Sequence, residues 1–294
     1  MSQIRILGVP IDMGAGRRGV DMGVSAMRLA GLDQTLSDLG HQVDDCGNIE
    51  VPVVETLSAE RGLHYLHSIA ETCKRVYEWF KCVSKDDFAI TLGGDHSIAM
   101  GSIAGVAHHG RTGVIWIDAH TDINTPDTSP SGNLHGTPLA HLLGHGDPKL
   151  REFWGGEAVV QPEDVVYIGL RSVDGGERSL VRQLGIDAYT MKEIDIQGIA
   201  TVIQKTINKL KHLDRVHVSF DVDALDPSIA PGVGTPVPGG LNYREAHLIM
   251  ELLHDAQIVT SLDIVEVNPI LDIQNQTAHI AVEMAASLLG RSII

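Results

Sequence analysis

The segment "VIWIDAHTDINTPDTSPSGNLHG", Val114 to Gly136, passes from an apolar run into Asp118, His120 and Asp122 at every second position, then into a polar, turn-rich tail. Side chains alternate faces along extended backbone, so residues two apart project the same way and these three can converge on one point. Three other stretches place similar groups just past apolar runs: "TLGGDHS" holds Asp95 and His96, "SFDVDALD" holds Asp221 and Asp223, and "LDIVEVNP" holds Glu266. Carboxylates buried together raise one another's pKa values and cost stability unless a cation neutralises them, and a metal resolves that conflict. Asp118, Asp122, Asp221 and Asp223 with His96 and His120, and no Cys, form a hard, oxygen-rich set that favours Mn or Mg over structural zinc; imidazole tilts it toward a transition metal. Six ligands exceed what one open catalytic ion needs. Two ions about 3.5–4 Å apart would use them all and supply a nucleophile at neutral pH, so the reaction class implied is metal-assisted hydrolysis.

Each motif alone has a plainer reading. "GGDH" can be a tight βα turn with Asp capping the next helix, and "DVD" with "LDP" a turn. "TPDTSPSGN", "RSVDGGE" and "APGVGTPVPGG" can be ordinary loops, Glu266 a buried paired carboxylate and His135 a turn-capping histidine. The weight lies in the joint placement at successive strand ends. The chain has 15 histidines, and His108, His109, His141 and His145 are read as surface or core residues without a task.

The elements that must position these groups show in the hydrophobic pattern. Apolar, β-branched runs recur as "IRILGVP", "FAITLGG", "GVIWIDAH", "DVVYIGLRS", "RVHVSFDVD" and "IVTSLDIVEV". Most are separated by segments of helical spacing such as "LHYLHSIAETCKRVYEWF", "IATVIQKTINKLKH" and "YREAHLIMELLHDA". Strands alternating with helices predict an α/β fold with a parallel sheet covered on both faces, whose ligands sit beyond the carboxyl ends of the strands. Asn242 followed by Glu245 has capping-box spacing and should open the last of those helices. Without a linker, repeat or low-complexity tract, residues 1–294 read as one domain.

Composition sets outer bounds. A 43% hydrophobic and 20% charged chain is that of a globular protein, and a formal net charge of -16 argues against unaided phosphate or nucleic-acid binding while suiting a cationic ligand. Nowhere do about 18 apolar residues run together and the N-terminus has no signal-peptide pattern, so no membrane association and a cytoplasmic location are expected. Cys46, Cys73 and Cys82 form no CxxC pair and read as reduced thiols without a role.

"GGDHS", "DAHTDIN", "SGNLHG", "SFDVDALDP" and "EVNP", in this order and spacing, resemble the ureohydrolases and among them the arginases; the likeness runs from "GVP" and "RRGVDMG" to "VEVNPILD". It implies a three-layer α/β/α fold with a central, mostly parallel sheet, two Mn2+ per subunit, and hydrolysis of L-arginine to L-ornithine and urea. Carried over by motif, His96, Asp118, Asp122 and Asp221 would bind one ion, and His120, Asp118, Asp221 and Asp223 the other. Asp122 would relay the proton to the departing amine, His135 would shuttle protons at the mouth, and Glu266 would orient the guanidinium. For the rest of the substrate the pattern points to Asn124, Ser129, Ser131, Asp174 and Glu177, with Thr235 of the Gly-rich loop. The chain departs from the family pattern at Ser129, where Thr is frequent, and at Ala224, where Gly is. A homo-oligomer, trimer or trimer-derived hexamer, is implied by resemblance alone.

Two rival readings remain at this point. A ureohydrolase for agmatine, guanidinobutyrate or formiminoglutamate would share the metal chemistry, but an amine-only substrate has no carboxylate for Asn124 and Ser131 to receive. A structural or regulatory metal-binding protein on the same fold would have no use for His135 or Glu266.

Overall fold

β-branched runs extend because their side chains pack well on a pleated surface and lose little freedom there. In a computed structural model of the chain, which describes residues 3–57 and 65–292, they form strands β1 (Gln3–Val9), β3 (Phe88–Gly93), β4 (Thr112–Ile117), β5 (Val165–Leu170), β7 (Arg215–Asp221) and β8 (Ser261–Val265), joined by β2 (Gln42–Asn48) and β6 (Asp187–Thr190). All pair in parallel in the order β2-β1-β3-β8-β7-β4-β5-β6. The four strands whose ends carry the metal-seeking residues, β3, β8, β7 and β4, are thus adjacent at the centre of the sheet, and their carboxyl ends open on one crest.

Helices cover both faces, giving three layers. On one side the helices Ile199–Leu210, Tyr243–Ala256 and Gln276–Leu288 seal a continuous apolar core with Ile90, Leu92, Ile115, Val218, Phe220 and Ile264. Each such fully buried side chain contributes roughly 1.5–3 kcal/mol of transfer free energy. On the other side Leu66–Cys82 and Ala99–Ala107 pack over two smaller apolar clusters, one around Val9, Val76 and Ile98, the other around Val114, Trp116 and Tyr167. The Asn242 side chain accepts from the Glu245 N–H while the Glu245 carboxylate accepts from the Asn242 N–H, the expected capping box.

Departures from the sequence reading lie at the edges. The sheet is wholly parallel, and it holds two strands that the hydrophobic pattern does not mark. β2 is exposed at nearly every position and β6 is a short, half-exposed edge strand, so neither carries the apolar run typical of a central strand. "IVTSLDIVEV" is strand only from Ser261. "LHYLHSIAETCKRVYEWF" begins partly outside the described residues, and its helix runs Leu66–Cys82. No helix among the described residues is long and apolar enough to cross a membrane.

Candidate active site

Four βα junctions deliver the ligand set. After β3, the Asp95 carboxylate caps the turn His96–Ile98 by accepting from the Ser97 N–H and also accepts from Gly14 N–H. Gly94 is needed beside it, since an added Cβ would stand 1.7 Å from the Ile11 carbonyl oxygen. The capping reading of "GGDH" and its ligand reading therefore both hold, for different residues: Asp95 fixes the turn and His96 points into the crest.

His96 Nδ1 lies 3.2 Å from Asp118 Oδ2, 3.1 Å from Asp122 Oδ2 and 3.3 Å from Asp221 Oδ2. His120 Nδ1 lies 3.4 Å from Asp118 Oδ1 and 3.1 Å from Asp223 Oδ2. Two donor groups result, His96 with Asp118 and Asp122, and His120 with Asp118 and Asp223; Asp118 belongs to both, and either group could hold an ion. All four aspartates and His96 are buried. Three carboxylate oxygens surround His96 Nδ1, none of them in good hydrogen-bond geometry among the described residues, an arrangement that suits a shared cation. Hard oxygens with two imidazole nitrogens converging in a dry pocket fit a divalent ion.

Electrostatics point the same way. Burial, then the neighbouring Asp118 charge, pushes the Asp122 carboxyl up to about 6. Burial, then Asp223 and Asp118, raises Asp221 well above the usual carboxylate range. Asp118 goes the other way: burial would raise it, but the neighbouring His120 and His96 rings together outweigh that and lower it. Burial disfavours the charged His120 ring, yet the Asp223 and Asp118 carboxylates outweigh it and hold the ring up to about 12. This crest draws positive charge strongly.

Groups outside the ligand set hold it in place. The Trp116 indole N–H donates to Asp118 Oδ2 at 2.9 Å and its ring stacks on His96 with centroids 4.0 Å apart. His96 Nε2 meets Ser219 Oγ at 2.8 Å, which leaves Nδ1 as the ligating nitrogen. Asp221 Oδ1 accepts from Asp223 N–H, Asp118 Oδ1 from His120 N–H, and Asp223 Oδ2 from the Thr235 hydroxyl. Neither Trp116 nor Ser219 stands out in the sequence, though Ser219 alternates with Asp221 on β7 and so shares its face. Asp122 (φ 47) and Glu266 (φ 65) adopt left-handed backbone, uncommon for such residues and concentrated at functional sites.

Glu266, just past β8, is buried; its Oε1 accepts from His96 N–H and stands 3.0 Å from His135 Nδ1, while Oε2 has no hydrogen-bond partner among the described residues. Burial disfavours the charged His135 ring, but Glu266 overcomes it and raises the ring to about 9. A cleft opens over these groups in two lobes that share His120, His135 and Thr235. One lobe adds Asn124, Ser172, Asp174 and Glu177; the other adds Arg17, Asn133 and Glu266. Asp174 caps the helix Gly175–Leu184 in a reciprocal box with Glu177, and its Oδ2 accepts from the Asn124 amide at 3.0 Å. Burial, then Asp122, pushes Glu177 up to about 7. Ser129 and Ser131 lie on the loop bordering the cleft without lining it, their hydroxyl oxygens accepting from Gly132 and Asn133 N–H. Arg17, Asn133 and Ser172 line the cleft although no motif assigns them a role. His141, read from sequence as untasked, is buried in the core with Nδ1 on the Thr137 carbonyl.

A parallel sheet whose central strand ends gather histidines and aspartates under an acidic cleft has the layout of a metal-dependent hydrolase. The family model described as Arginase family matches residues 2–290, and the chain belongs to that family and is a hydrolase. The arginase of Bacillus caldovelox is 50% identical over the whole of both chains, and its native structure superposes with a TM-score of 0.97. The arginase of Entamoeba histolytica, solved in complex with L-ornithine, is 31% identical over 99% of this chain and 98% of its own, with a TM-score of 0.91.

Proposed function

We propose that the chain hydrolyses L-arginine to L-ornithine and urea with two Mn2+ per subunit, held by His96, Asp118, Asp122 and Asp221 and by His120, Asp118, Asp221 and Asp223. The observation that carries this is Glu266: a buried carboxylate with one oxygen unpartnered among the described residues, beside the six-residue donor set and inside an acidic cleft. Guanidinium is cationic at any working pH, and a carboxylate is its matching receptor. When bound, the ions would supply a nucleophile at neutral pH and stabilise negative charge developing on the substrate.

The chain's own residues do the rest. Glu266, held by His96 N–H and His135, orients the guanidinium with its free oxygen. Asp122, itself one of the donor set, passes a proton to the departing nitrogen. His135 is partly exposed, with 18% of its side chain reaching solvent, so it can exchange protons between that interior and the cleft. At the far end Asp174 and Glu177 receive the α-amino group, while Asn124, Ser129, Ser131 and Thr235 contribute polar contacts. The complex of the Entamoeba histolytica arginase with L-ornithine supports a substrate of this class.

On family likeness we further propose a single catalytic domain spanning the chain, a cytoplasmic location and a homo-oligomer, trimer or hexamer. Urea release from arginine, agmatine and guanidinobutyrate, and formamide release from formiminoglutamate, after manganese loading test the reading. Arginine should be the preferred substrate, with activity lost on chelation and two ions found per active subunit. Equal or better turnover of a guanidino compound lacking the α-carboxylate would replace this reading by the rival ureohydrolase one.

A further inference from the structure

The polar row that holds His96 does not end at Trp116 and Ser219. In register across β4, β7, β8 and β3 stand Trp116, Ser219, Asp263 and Thr91, so their four side chains leave the same face of the sheet. Two residues earlier on that face, His217 pairs with Ser261. All of these are buried, as is Ser102 on the helix Ala99–Ala107 that covers them. His217 Nδ1 meets Ser261 Oγ at 2.8 Å and its Nε2 lies 3.1 Å from Asp263 Oδ2, to which the Ser102 hydroxyl donates. Asp263 Oδ1 and the Thr91 hydroxyl have no hydrogen-bond partner among the described residues. A carboxylate oxygen left without a donor in a dry interior is costly and calls for an explanation.

The direction of the hydrogen bonds in this row depends on what His96 Nδ1 holds. A neutral imidazole carries one proton, and a nitrogen that ligates a metal carries none. With an ion on Nδ1 the proton sits on Nε2 and is donated to Ser219 Oγ, 2.8 Å away. The Ser219 hydroxyl proton must then go elsewhere. Of its two neighbours across the strands, Trp116 offers no acceptor, since its indole N–H is a donor already given to Asp118. Asp263 offers an unpartnered oxygen. Without an ion the ring can take the other tautomer, with Nδ1–H facing the three aspartates and Nε2 accepting from Ser219, and Asp263 then receives nothing from that hydroxyl.

We propose that Asp263 is a positioning residue for the His96 ligand: its Oδ1 takes the Ser219 hydroxyl proton when an ion is bound at Nδ1, and so fixes the ring tautomer and raises the basicity of the ligating nitrogen. The inference rests on the metal reading above and goes beyond it, because it gives Asp263 a part that is felt only in the loaded protein. A carboxylate at the end of a chain of donors polarises the chain toward itself, here Ser219 and then His96. Ser102 and His217 engage the other oxygen and keep the carboxylate from rotating away.

Manganese affinities of the wild type, Asp263→Asn, Ser219→Ala and the double variant are to be measured by competition with a chelator, with Tm recorded for metal-free and loaded protein. Asp263→Asn should weaken one of the two ions by ~10-fold and leave the other within about twofold, and it should shrink the rise in Tm that loading produces. Added to Ser219→Ala, it should change affinity by less than about twofold, because its path to His96 runs through that hydroxyl. Unchanged affinity in Asp263→Asn, whatever the metal-free Tm, would make the residue purely structural and overturn the proposal, as would losses that add in full in the double variant. One further test needs no variant to fold. A crystal structure of the manganese-loaded wild type should show Ser219 Oγ hydrogen-bonded to Asp263 Oδ1, directly or through one water, and a hydroxyl bonded elsewhere would overturn the role. Wild-type protein that binds no manganese would instead overturn the metal reading, and the role of Asp263 with it.

Discussion

The inner end of the cleft and its rim are made of different material. Inside, every proposed metal ligand sits at or just past a strand end in the middle of the sheet, and the set is buried except for partial exposure of His120. At the rim, Arg17, Asn133, Asp174 and Thr235 come from four separate loops or caps, and Ser131 is exposed. A parallel sheet fixes the relative positions of its strand ends through continuous hydrogen bonding, so side chains there need little further support. Rim residues depend on turns and side-chain hydrogen bonds, which are individually weaker. Chemistry should therefore fail sharply when the inner end is altered and degrade by degrees when the rim is.

The sharpest test of that contrast is His120→Asn. One of the two donor groups loses its nitrogen, so turnover should fall by ~10³-fold or more and metal analysis should find about one ion per subunit. Circular dichroism and Tm should stay near wild type, because the side chain lies at the crest and not in the packed core. Full turnover with two ions retained would show that the inner end tolerates what the rim is expected to tolerate. Glu266→Gln is next. It keeps an acceptor for His96 N–H and removes the charge facing guanidinium, so kcat/KM for arginine should drop ~10²–10³-fold, on the scale of a buried pair deprived of one charge, with metal content unchanged. Smaller again is Ser219→Ala, which takes away the partner of His96 Nε2. Metal affinity measured by competition with a chelator should weaken by ~10–100-fold; an unchanged affinity would mean that stacking on Trp116 alone orients the ring.

At the rim, Asn124→Ala combined with Ser131→Ala should cost arginine more than agmatine and narrow the ratio of their kcat/KM values. A site that hydrogen-bonds a polar group rejects the analogue lacking it by up to ~10⁴-fold when the donors are buried. Here Ser131 is exposed, so a ratio change of about tenfold is the expected scale. Equal losses on both substrates would detach these residues from the carboxylate.

The same division explains what could be read from the chain. Asp118, His120 and Asp122, or Asp221 and Asp223, are legible because they follow apolar runs directly, at the ends of β4 and β7; their aim is then set by the turns, Asp122 with left-handed backbone and Asp223 in the turn Val222–Ala224, and not by a strand period of two. Their convergence is a property of the parallel sheet, which the alternation of apolar runs and helical spacing announces. β2 and β6 were not legible, since an exposed edge strand carries no hydrophobic signature. The rim was legible only through family likeness, because a turn such as "TPDTSPSGN" does not say which of its polar groups will face the cleft. Arg17 shows the same limit: its place depends on the Asp12 carboxylate accepting from Gly19 N–H, seven positions on, and on Asp95 of another loop accepting from Gly14 N–H, and no local periodicity encodes those.

The mildest prediction concerns the rim's own stability. Asp226 binds the two ends of the loop that carries Thr235: its Oδ1 accepts from Ser228 N–H at 3.0 Å and its Oδ2 from Gly239 and Gly240 N–H at 2.7 and 3.1 Å. Hydrogen bonding from Ser228 and then from the two glycine amides lowers its carboxyl from 3.8 to about 2. A carboxyl depressed in the folded state stabilises the fold above its unfolded pKa, and that contribution fades as pH falls from 3.8 toward about 2. The group is partly exposed, so screening keeps the effect to ~1 kcal/mol or less, a Tm loss of at most ~2–4 °C for Asp226→Asn at pH 7. The gap between wild type and variant should close as pH is lowered through that window. Turnover should stay within about threefold, since Asp223 and the other strand-end ligands do not depend on this loop for their positions. A collapse of activity in Asp226→Asn would mean that the Thr235 hydroxyl, through its 2.8 Å contact with Asp223, ties the inner end to the rim more tightly than the sheet alone requires.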